Sequence, residues 1–455
     1  MAPDRKTTSG NLADPSMDIA SGITPTIIPR TQHPLSRKSM DEEALKVLYR
    51  LHHHGYLAYL VGGSVRDLLL GKIPRDFDVV TNAHPHEITR LFRNSRIIGR
   101  RFRLAHVFFK GHKIVEVSTF RSCSEFEEVQ TEEGEIIRTD SFGTPQEDAL
   151  RRDITINGLF YNIADFSVID HVGGMADLER GIIRTIGEPG ERFQQDPVRM
   201  IRVIRHAVRT GFPIDERTYQ ALLCHRDEIR KCSPSRIRDE FLRDLKEGVA
   251  QPSLKLMLET GLLLSLFPEF ERVFGDRSAS KEKNGQFFLS LFSLADQLMT
   301  RDRFVPEPIL LALLLIPFIQ AITPDHPFLR EKERYLYRMQ TIRLALHQIL
   351  DPFSFPRGAK ELAYQILLTQ PSLESAIQRG GVPKRLRMKK YFREAVLLYG
   401  ILAEAKRERV PPILRKTVPW DLLPWWPKEI ETERKEYRPR KRRRRRFHRR
   451  LPPPR

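Results

Sequence analysis

The pattern of hydrophobic and polar positions divides the chain into two parts. In the first part, short apolar or alternating runs at 57–61, 97–109 and 113–121 predict β-strands. From about residue 250 to 415, apolar residues recur three and four positions apart, which predicts amphipathic helices. The expected fold class is therefore α+β, with a small mixed-sheet head followed by an all-α neck and body.

The two ends of the chain lack this periodicity. Residues 1–33 are rich in Ser, Thr, Pro and Gly, and a basic arm begins near residue 434, so both termini are predicted to be disordered. Ser39 is the predicted N-cap of the first helix. In chain order, the predicted domains are a disordered segment 1–33, the head 34–175, the helical neck 176–250, the helical body 251–415, and a Trp/Pro segment with an arginine-rich tail 416–455.

The net charge of the chain is strongly positive, at +19 for 455 residues. Ten Lys or Arg residues, and no acid, lie between Arg438 and Arg450. This excess favours a polyanion such as RNA, bound with little sequence specificity. We expect Arg440, Arg443 and Arg445 to contact RNA, with solubility as the alternative role of the tail.

Cysteine usage and hydropathy indicate the compartment. Cys123, Cys224 and Cys232 are scattered, which argues against a disulfide framework or a zinc module and is typical of a reducing environment. The most apolar run, 309–316, ends before Pro317 and is too short to span a bilayer. The first residues lack the apolar core of a signal peptide. We therefore expect a cytoplasmic protein without membrane contact.

Candidate chemistry begins directly after the first predicted strand. Gly62 and Gly63 precede a short predicted helix, so backbone N–H groups at this turn suit a phosphate. Asp76 and Asp78 lie two residues apart, and on a strand this spacing puts both carboxylates on one face. Adjacent carboxylates repel each other, and hard oxygen ligands favour Mg²⁺. Glu116, on the polar face of a later strand, is either a third ligand or an ordinary exposed residue.

These residues carry a family resemblance. Gly62-Gly63-Ser64-Val65-Arg66-Asp67 followed by Asp76-Phe77-Asp78 resembles the active-site signature of the nucleotidyltransferase superfamily, in the branch of bacterial tRNA CCA-adding enzymes and poly(A) polymerases. The resemblance implies that Gly62, Gly63 and Arg66 hold the nucleotide triphosphate. It also implies that Asp76 and Asp78 are catalytic and, completed by Glu116, bind two Mg²⁺ ions.

A second motif follows a polar loop at 122–148 that we interpret as solvated. Arg151-Arg152-Asp153-Ile154-Thr155-Ile156-Asn157 offers donors to phosphates and a sugar, although a surface turn is the other interpretation. It is similar to the family's second motif, which implies that Arg152 and Asn157 bind the nucleotide and that Asp153 joins the catalytic acids. Residues 170–178 resemble the third motif, a hinge between head and neck.

The fourth motif reads Asp196-Pro197-Val198-Arg199, in which Pro197 predicts the first position of a helix and Asp196 its N-cap. Arginines recur every three residues at Arg199, Arg202 and Arg205. Such a stripe is either a solvated face or an RNA-binding one, and we expect Arg202 and Arg205 to bind RNA. The resemblance implies that Asp196 and Arg199 select the base in place of a nucleic-acid template. Gln195 stands where the family commonly has Glu, so any contact of that carboxylate is missing. A fifth motif, 233–241, is implied to brace this helix.

The resemblance also indicates a function. Residues 98–107 are similar to the local signature of bacterial poly(A) polymerases, and the basic tail suits an enzyme that accepts many RNAs. We predict template-independent addition of AMP from ATP to RNA 3′ ends with release of pyrophosphate, an RNA-binding body, and RNA-degradation proteins as further partners. A tRNA CCA-adding enzyme, or an RNA-binding protein with an inactive transferase head, is the alternative.

Overall fold

The computed structural model describes residues 24–99, 103–122, 127–130, 136–139, 142–275, 279–299, 304–323 and 330–406. The predicted tail contacts of Arg440, Arg443 and Arg445, the predicted disorder of residues 1–23, and residues 100–102 of the local signature lie outside these ranges. The described residues form two compact units. The first unit holds the chain up to Asp244 together with Pro252–Glu271, and the second holds Leu245–Gln251 and the chain from Arg272 onward.

A mixed sheet of eight strands forms the frame of the first unit, in the order β1-β10-β9-β2-β3-β6-β5-β4. The strands are β1 Thr26–Ile28, β2 Ala58–Val61, β3 Asp78–Thr81, β4 Ser95–Ile98, β5 Leu104–Phe108, β6 Ile114–Thr119, β9 Leu159–Asn162 and β10 Val168–Asp170, and a separate pair is β7 Glu127–Gln130 with β8 Ile136–Thr139. β3 and β6 run parallel, whereas the other neighbours in the eight-stranded sheet are antiparallel. The predicted mixed sheet is therefore confirmed.

Along the chain, helices lie before and between the strands of this sheet, and the described elements after β10 are all helices. They are α1 Glu42–His53, α2 Gly63–Leu69, α3 Pro85–Leu91, α4 Pro145–Leu150, α5 Gly174–Arg180, α6 Pro189–Gln195, α7 Arg199–Thr210, α8 Glu216–His225, α9 Pro234–Lys246, α10 Ala250–Glu259, α11 Leu262–Leu266 and α12 Glu271–Phe274. Shorter 3₁₀ helices are Arg30–Gln32, Arg37–Ser39, Lys110–His112, Thr155–Asn157, Arg226–Lys231 and Pro268–Phe270.

The first helix shows how local sequence sets an element. Asp41, and not Ser39, is the N-cap of α1, because its Oδ1 accepts the backbone N–H groups of Glu43 and Ala44 at 3.0 Å each. Ser39 belongs to the preceding 3₁₀ helix. The apolar side of α1 is buried, as its spacing predicts, through residues Ala44, Val47, Leu48 and Leu51.

One prediction of disorder and one strand prediction need correction. Thr26–Ile28 lies in the segment expected to be disordered, yet it pairs with β10 as an edge strand, so ordered structure begins before residue 33. Asp76 does not lie on a strand, because β3 begins at Asp78. The Asp-Phe-Asp segment therefore spans the end of a loop and the start of a strand, and Asp76 is not placed beside Asp78 by strand pleating.

An apolar cluster of the first unit includes Val61, the residue directly before the Gly-Gly turn. Tyr59, Val61, Val80, Phe120 and Phe160 are buried in one cluster. This cluster anchors the ends of β2 and β3, where the candidate chemical residues begin. The third motif is equally well packed, since a Cβ on Gly174 would lie 2.3 Å from the Thr155 carbonyl oxygen.

The second unit is helical where it is described, with α13 Ala279–Met299, α14 Glu307–Ile322, α15 Glu331–Ala345, α16 Arg357–Gln378, α17 Lys384–Arg387 and α18 Phe392–Ala405. A π-helix at Leu346–Leu350 and a 3₁₀ helix at Asp351–Phe353 follow α15. α14 is the centre of this unit, because every residue from Ile309 to Phe318 is buried. Within the described chain, no helix combines the length and the apolarity needed to cross a membrane.

Candidate active site

Three carboxylates meet at one edge of the sheet. Asp78 pairs with Glu116 in the parallel register of β3 and β6, and Asp76 lies two residues before it. The Asp78 side chain is open to solvent on one side, but surrounding protein desolvates its carboxyl group. Desolvation first, and then the charges of Glu116 and Asp76, raise the pKa of Asp78 to about 6, although Arg152 and Arg243 oppose this rise. Negative charge is thus incompletely balanced at this edge.

At this edge, a cation fits Asp76 and Asp78 better than it fits all three carboxylates together. In the described ranges, no three Asp, Glu, His or Cys side chains are placed to enclose a metal ion by themselves. Glu116 lies 3.2 Å from His106 Nε2, across from it on β5. Mg²⁺ in nucleotide sites is commonly bound by one or two carboxylates plus substrate phosphates, so Asp76 and Asp78 fit such an ion, and Glu116 modifies Asp78.

The Gly-Gly turn brings backbone close to an arginine. Gly62 has φ +70°, which favours glycine, and a Cβ at this position would lie 3.3 Å from Arg152 Nη1. Arg152 is fixed by a 2.8 Å hydrogen bond from Nη2 to Asp148 and by stacking on Phe160. The glycines predicted to hold the triphosphate and the arginine of the second motif therefore lie side by side.

A cluster of arginines surrounds Arg151. Desolvation and the charge of Arg121, followed by those of Arg152 and Arg199, lower the pKa of Arg151 to about 10. The carboxylate of Asp148 opposes this shift. So many mutually repelling guanidinium groups favour a polyanion in the same place. Arg121 and Arg151 were not predicted as site residues, although Arg151 is the first residue of the Arg-Arg-Asp motif.

Arg66 has a different position from the one predicted. Its side chain is 2% exposed and donates to Asp67 at 2.7 Å and to Asn157 Oδ1 at 2.7 Å. A guanidinium enclosed in this way has little surface for a triphosphate. Arg66 instead supports Asn157, so the predicted direct contact is corrected to an indirect one.

Asp153 is held by two arginines of α7. Arg199 Nε lies 3.3 Å from its Oδ1, and Arg202 donates to its Oδ2 at 2.9 Å. Asp153 therefore joins the second motif to α7.

The predicted base-selecting pair lies at the junction of α6 and α7. Asp196 is the C-cap of α6 and not an N-cap, and α7 begins only at Arg199. The two side chains are neighbours, with Arg199 Nε 3.9 Å from Asp196 Oδ2. Arg236 of the fifth motif donates to the same Oδ2 at 2.9 Å.

Asp196 Oδ1 and Arg199 Nη1 are buried without hydrogen-bond partners among the described residues, so an acceptor and a donor remain for a ligand. Gln195, at the end of α6, is exposed.

The stripe of arginines on α7 serves mainly as scaffold. Arg202 donates to Glu240 at 2.8 Å as well as to Asp153, and Arg205 pairs with Glu240 and Asp244. Desolvation alone would lower the pKa of Arg205, but the carboxylates of Asp244 and Glu240 raise this pKa above its ordinary value. Arg205 is 3% exposed, so its predicted contact with RNA is wrong, and Arg202 is mostly committed to Asp153 and Glu240. The prediction that the fifth motif braces α7 is confirmed by Glu240.

Known proteins are similar to this chain. Residues 58–184 match the family described as Poly A polymerase head domain, and residues 211–274 match the family described as Probable RNA and SrmB-binding site of polymerase A. Poly(A) polymerase I of Escherichia coli O6:H1 is 38% identical over 406 residues, which are 87% of this chain and 84% of that protein. A CCA-adding enzyme of Bacillus pumilus is 37% identical over 219 residues, which are 48% of this chain and 53% of that protein.

A solved structure is similar as well. The crystal structure of the Bacillus stearothermophilus CCA-adding enzyme in complex with CTP superposes with a TM-score of 0.59 at 27% identity, covering 83% of this chain and 82% of that one. Identity to the Escherichia coli enzyme extends over most of both chains. The chain therefore belongs to the tRNA nucleotidyltransferase/poly(A) polymerase family, in its bacterial poly(A) polymerase branch, and is an RNA nucleotidyltransferase.

Proposed function

We propose that this enzyme adds AMP from ATP to RNA 3′ ends without a nucleic-acid template and releases pyrophosphate. The observation that carries the proposal is the pair of unpartnered atoms at the α6–α7 junction, Asp196 Oδ1 and Arg199 Nη1. One is an acceptor and the other a donor, and both belong to neighbouring side chains. A buried polar atom without a partner is costly, so a ligand that supplies both partners is favoured.

An acceptor beside a donor matches two of the four bases. Adenine offers an amino N–H and the acceptor N1, and cytosine offers an amino N–H and the acceptor N3. Guanine and uracil present a carbonyl oxygen and a ring N–H, the reverse order, and would place like groups opposite Asp196 and Arg199. Reading of the Watson–Crick edge by side chains in this way needs no template strand.

The choice between adenine and cytosine rests on the whole chain. Similarity to the poly(A) polymerase of Escherichia coli spans 87% of this chain, whereas similarity to the CCA-adding enzyme of Bacillus pumilus spans 48%. The basic tail, which favours general RNA capture, supports the same choice. CCA addition is the second candidate, because the Asp196–Arg199 pair alone accepts both bases.

The proposed chemistry is an in-line displacement. The RNA 3′-hydroxyl oxygen forms a bond to the α-phosphorus of ATP, the bond from that phosphorus to the α–β bridging oxygen breaks, and pyrophosphate leaves. Asp76 and Asp78 would hold two Mg²⁺ ions, which when bound supply positive charge for the attacking and leaving oxygens. The cluster of Arg121, Arg151 and Arg152 would hold the triphosphate.

RNA and protein partners follow from the same proposal. The match of residues 211–274 to a family described as a probable RNA and SrmB-binding site supports RNA contact in that region and is compatible with a protein partner. RNA-degradation proteins as partners, and a cytoplasmic location, stay predictions.

A nucleotide and RNA matrix tests the proposal. The purified enzyme is given ATP, CTP, GTP or UTP with Mg²⁺, on either tRNA lacking its CCA end or RNA of arbitrary sequence. We expect repeated AMP addition to both RNAs and little use of the other nucleotides. Efficient CTP incorporation on the truncated tRNA would overturn the proposal in favour of CCA addition. The Asp76→Ala/Asp78→Ala variant is the matched control for contaminating polymerases.

A further inference from the structure

The face of the sheet that carries Asp78 continues away from the Gly-Gly turn. In the strand register, Asp78 lies opposite Glu116, and Glu116 lies opposite His106. Residues that pair directly across strands present their side chains on the same face. Phe108 is two positions after His106 and pairs with Ile114, so both share this face as well. The face therefore extends from Asp78 across β6 and β5.

This face is open, whereas the opposite face of β5 and β6 is core. Phe108 and Ile114 are 40% and 45% exposed. The residues that alternate with them are buried, namely Ala105, Val107, Val115 and Val117. The rings of His106 and Phe108 lie edge to face, with 6.2 Å between their centroids. Two rings and an isoleucine thus form an apolar platform next to Glu116.

The direction of the reaction indicates which substrate reaches this platform. β3 has β2 on one side and β6 on the other. The groups proposed for the triphosphate, Gly62 directly after β2 and the neighbouring Arg152, lie on the β2 side. Nucleotidyl transfer in line places the attacking and leaving oxygens on opposite sides of the phosphorus. Because pyrophosphate would leave towards Gly62 and Arg152, the RNA 3′-hydroxyl must arrive from the β6 side.

The chemistry of the platform fits the end of an RNA chain. Bases of any sequence stack on exposed aromatic side chains, and Phe108 offers such a ring. The carboxylate of Glu116 repels phosphate, so it favours an uncharged nucleoside beside it. Arg96, which pairs with His106 from β4, and Lys110, which follows β5, are exposed at the rim and favour the phosphates.

We propose that the exposed face of β5 and β6 binds the 3′-terminal nucleoside of the acceptor RNA, with its base on the rings of Phe108 and His106 and its 3′-hydroxyl towards Asp78. The inference rests on the proposed function, since it takes the transfer to be in line from a triphosphate at Gly62 and Arg152. Phe108 contacts the RNA and takes no part in proton or phosphoryl transfer.

A cycle of one protein change and one RNA change tests the contact. The protein change is Phe108→Ala, and the RNA change removes the base of the 3′-terminal nucleotide but keeps its ribose. Transfer assays with whichever nucleotide the wild-type enzyme adds give kcat, the KM for RNA and the KM for the nucleotide. Phe108→Tyr retains a ring. Ile27→Ala is the matched control, because Ile27 is an exposed aliphatic residue on β1, at the far edge of the same sheet.

We expect loss of the terminal base to raise the wild-type KM for RNA by about tenfold, within the range for one stacked base. Phe108→Ala should raise the KM for intact RNA by the same factor and should be nearly insensitive to loss of the base, because the stacking partner is already gone. The KM for the nucleotide should change by less than about twofold, and Phe108→Tyr and Ile27→Ala should behave as the wild type. A Phe108→Ala variant as sensitive to the base as the wild type would overturn the inference.

A measurement on the wild-type protein covers the case in which Phe108→Ala does not fold. RNA that ends in a photoreactive thiouridine is bound without nucleotide and irradiated, and the peptide attached to it is identified by mass spectrometry. Attachment within residues 104–116 is expected. Attachment only elsewhere would leave the platform to another partner and contradict the proposal. Addition of CMP in place of AMP would refute the proposed function and leave both tests of the platform intact.

Discussion

Two regions of the first unit treat charge in opposite ways. At the end of β3, Asp76 and Asp78 have no hydrogen bond or ion pair with the described residues, and Glu116 adds further negative charge. Between α7 and α9, by contrast, Arg205 is nearly enclosed and its donors go to Glu240 and Asp244. One region leaves negative charge only partly balanced, by Arg152 and Arg243, and the other buries charge and pairs it.

The difference indicates which charges await a ligand. Uncompensated carboxylates cost free energy until a cation arrives, whereas a buried and paired arginine is stable only while its partners remain. Arg199 lies between these extremes, because Asp153 neutralises it while Nη1 stays without a partner. On this view the acidic edge at Asp76 and Asp78 performs the chemistry, and the paired residues of α7 and α9 hold the structure in place. The α6–α7 junction combines both roles, because its residues are partly paired and partly open to a ligand.

The largest expected effect comes from the uncompensated region. Asp78→Ala removes a proposed Mg²⁺ ligand, and loss of several kcal/mol of transition-state stabilisation corresponds to a fall in kcat of about a thousandfold or more. AMP incorporation under single-turnover conditions measures the fall. RNA affinity, measured by filter binding, should change by less than about twofold, because Asp78 adds no positive charge to RNA contacts.

Glu116→Gln is the matched control at the same edge. It removes one negative charge without removing Asp76 or Asp78, so we expect a loss of less than about tenfold. A loss as large as that of Asp78→Ala would make Glu116 a full metal ligand, as the sequence resemblance implies. Retained activity in Asp78→Ala would remove the acidic edge from the chemistry altogether.

The next effect lies in the compensated region and concerns stability. Asp244→Ala leaves Arg205 buried with one partner fewer, and breaking such a pair costs about 3–5 kcal/mol of unfolding free energy. Urea unfolding monitored by circular dichroism measures it. The double variant Arg205→Met/Asp244→Leu should lose less, since no buried charge is left unpaired. If Asp244→Ala loses less than about 1 kcal/mol, the pair is not scaffold.

The sequence predicted elements better than side-chain partners. The buried strand Ala58–Val61 and the apolar helix α14 follow from patterns of apolar residues, because burial acts on each element locally. The stripe of Arg199, Arg202 and Arg205 is correct as a pattern, but the carboxylates that pair with it, such as Glu240 and Asp153, lie 35 to 49 positions away in the sequence. Spacing cannot show such contacts.

The same limit explains the errors at helix ends and in the site. Asp196-Pro197 has the composition of an N-cap, yet the chain makes one more turn before α7 begins, and Asp196 ends α6. Arg66 and Asp153 were predicted to face the nucleotide because the motifs contain them, but their partners Asn157 and Arg202 enclose them. The unpartnered atoms of Asp196 and Arg199 could be found only in three dimensions.

A smaller effect is expected at the α6–α7 junction. Asp196→Ala removes the acceptor for the base amino group, so the preference for ATP over GTP in kcat/KM should fall by about ten- to a hundredfold, the range for one base contact. Arg236→Ala is the matched control, because Arg236 is half-exposed and touches only the other oxygen of Asp196. We expect it to change the preference by less than about fivefold. An unchanged preference in Asp196→Ala would place base selection elsewhere.

The smallest expected effect is on the unfolding free energy, measured without metal or nucleotide. It tests whether the charge of Asp78 is left unbalanced by the protein. The pKa of Asp78 is raised to about 6, so the folded chain binds this proton more tightly than the unfolded chain does. Ionised Asp78 therefore lowers the unfolding free energy above pH 6, and this cost shrinks as the pH falls below 6 and disappears only below the ordinary carboxyl pKa of about 4. In EDTA, Asp78→Asn should raise the unfolding free energy at pH 8, by less than about 1 kcal/mol because solvent screens the carboxylate, and should raise it by a smaller amount at pH 5. Asp67→Asn should lower it at pH 8, because Asp67 pairs with the buried Arg66. If both substitutions destabilise the protein at pH 8, Arg152 and Arg243 already compensate Asp78, and the acidic edge is as much scaffold as α7.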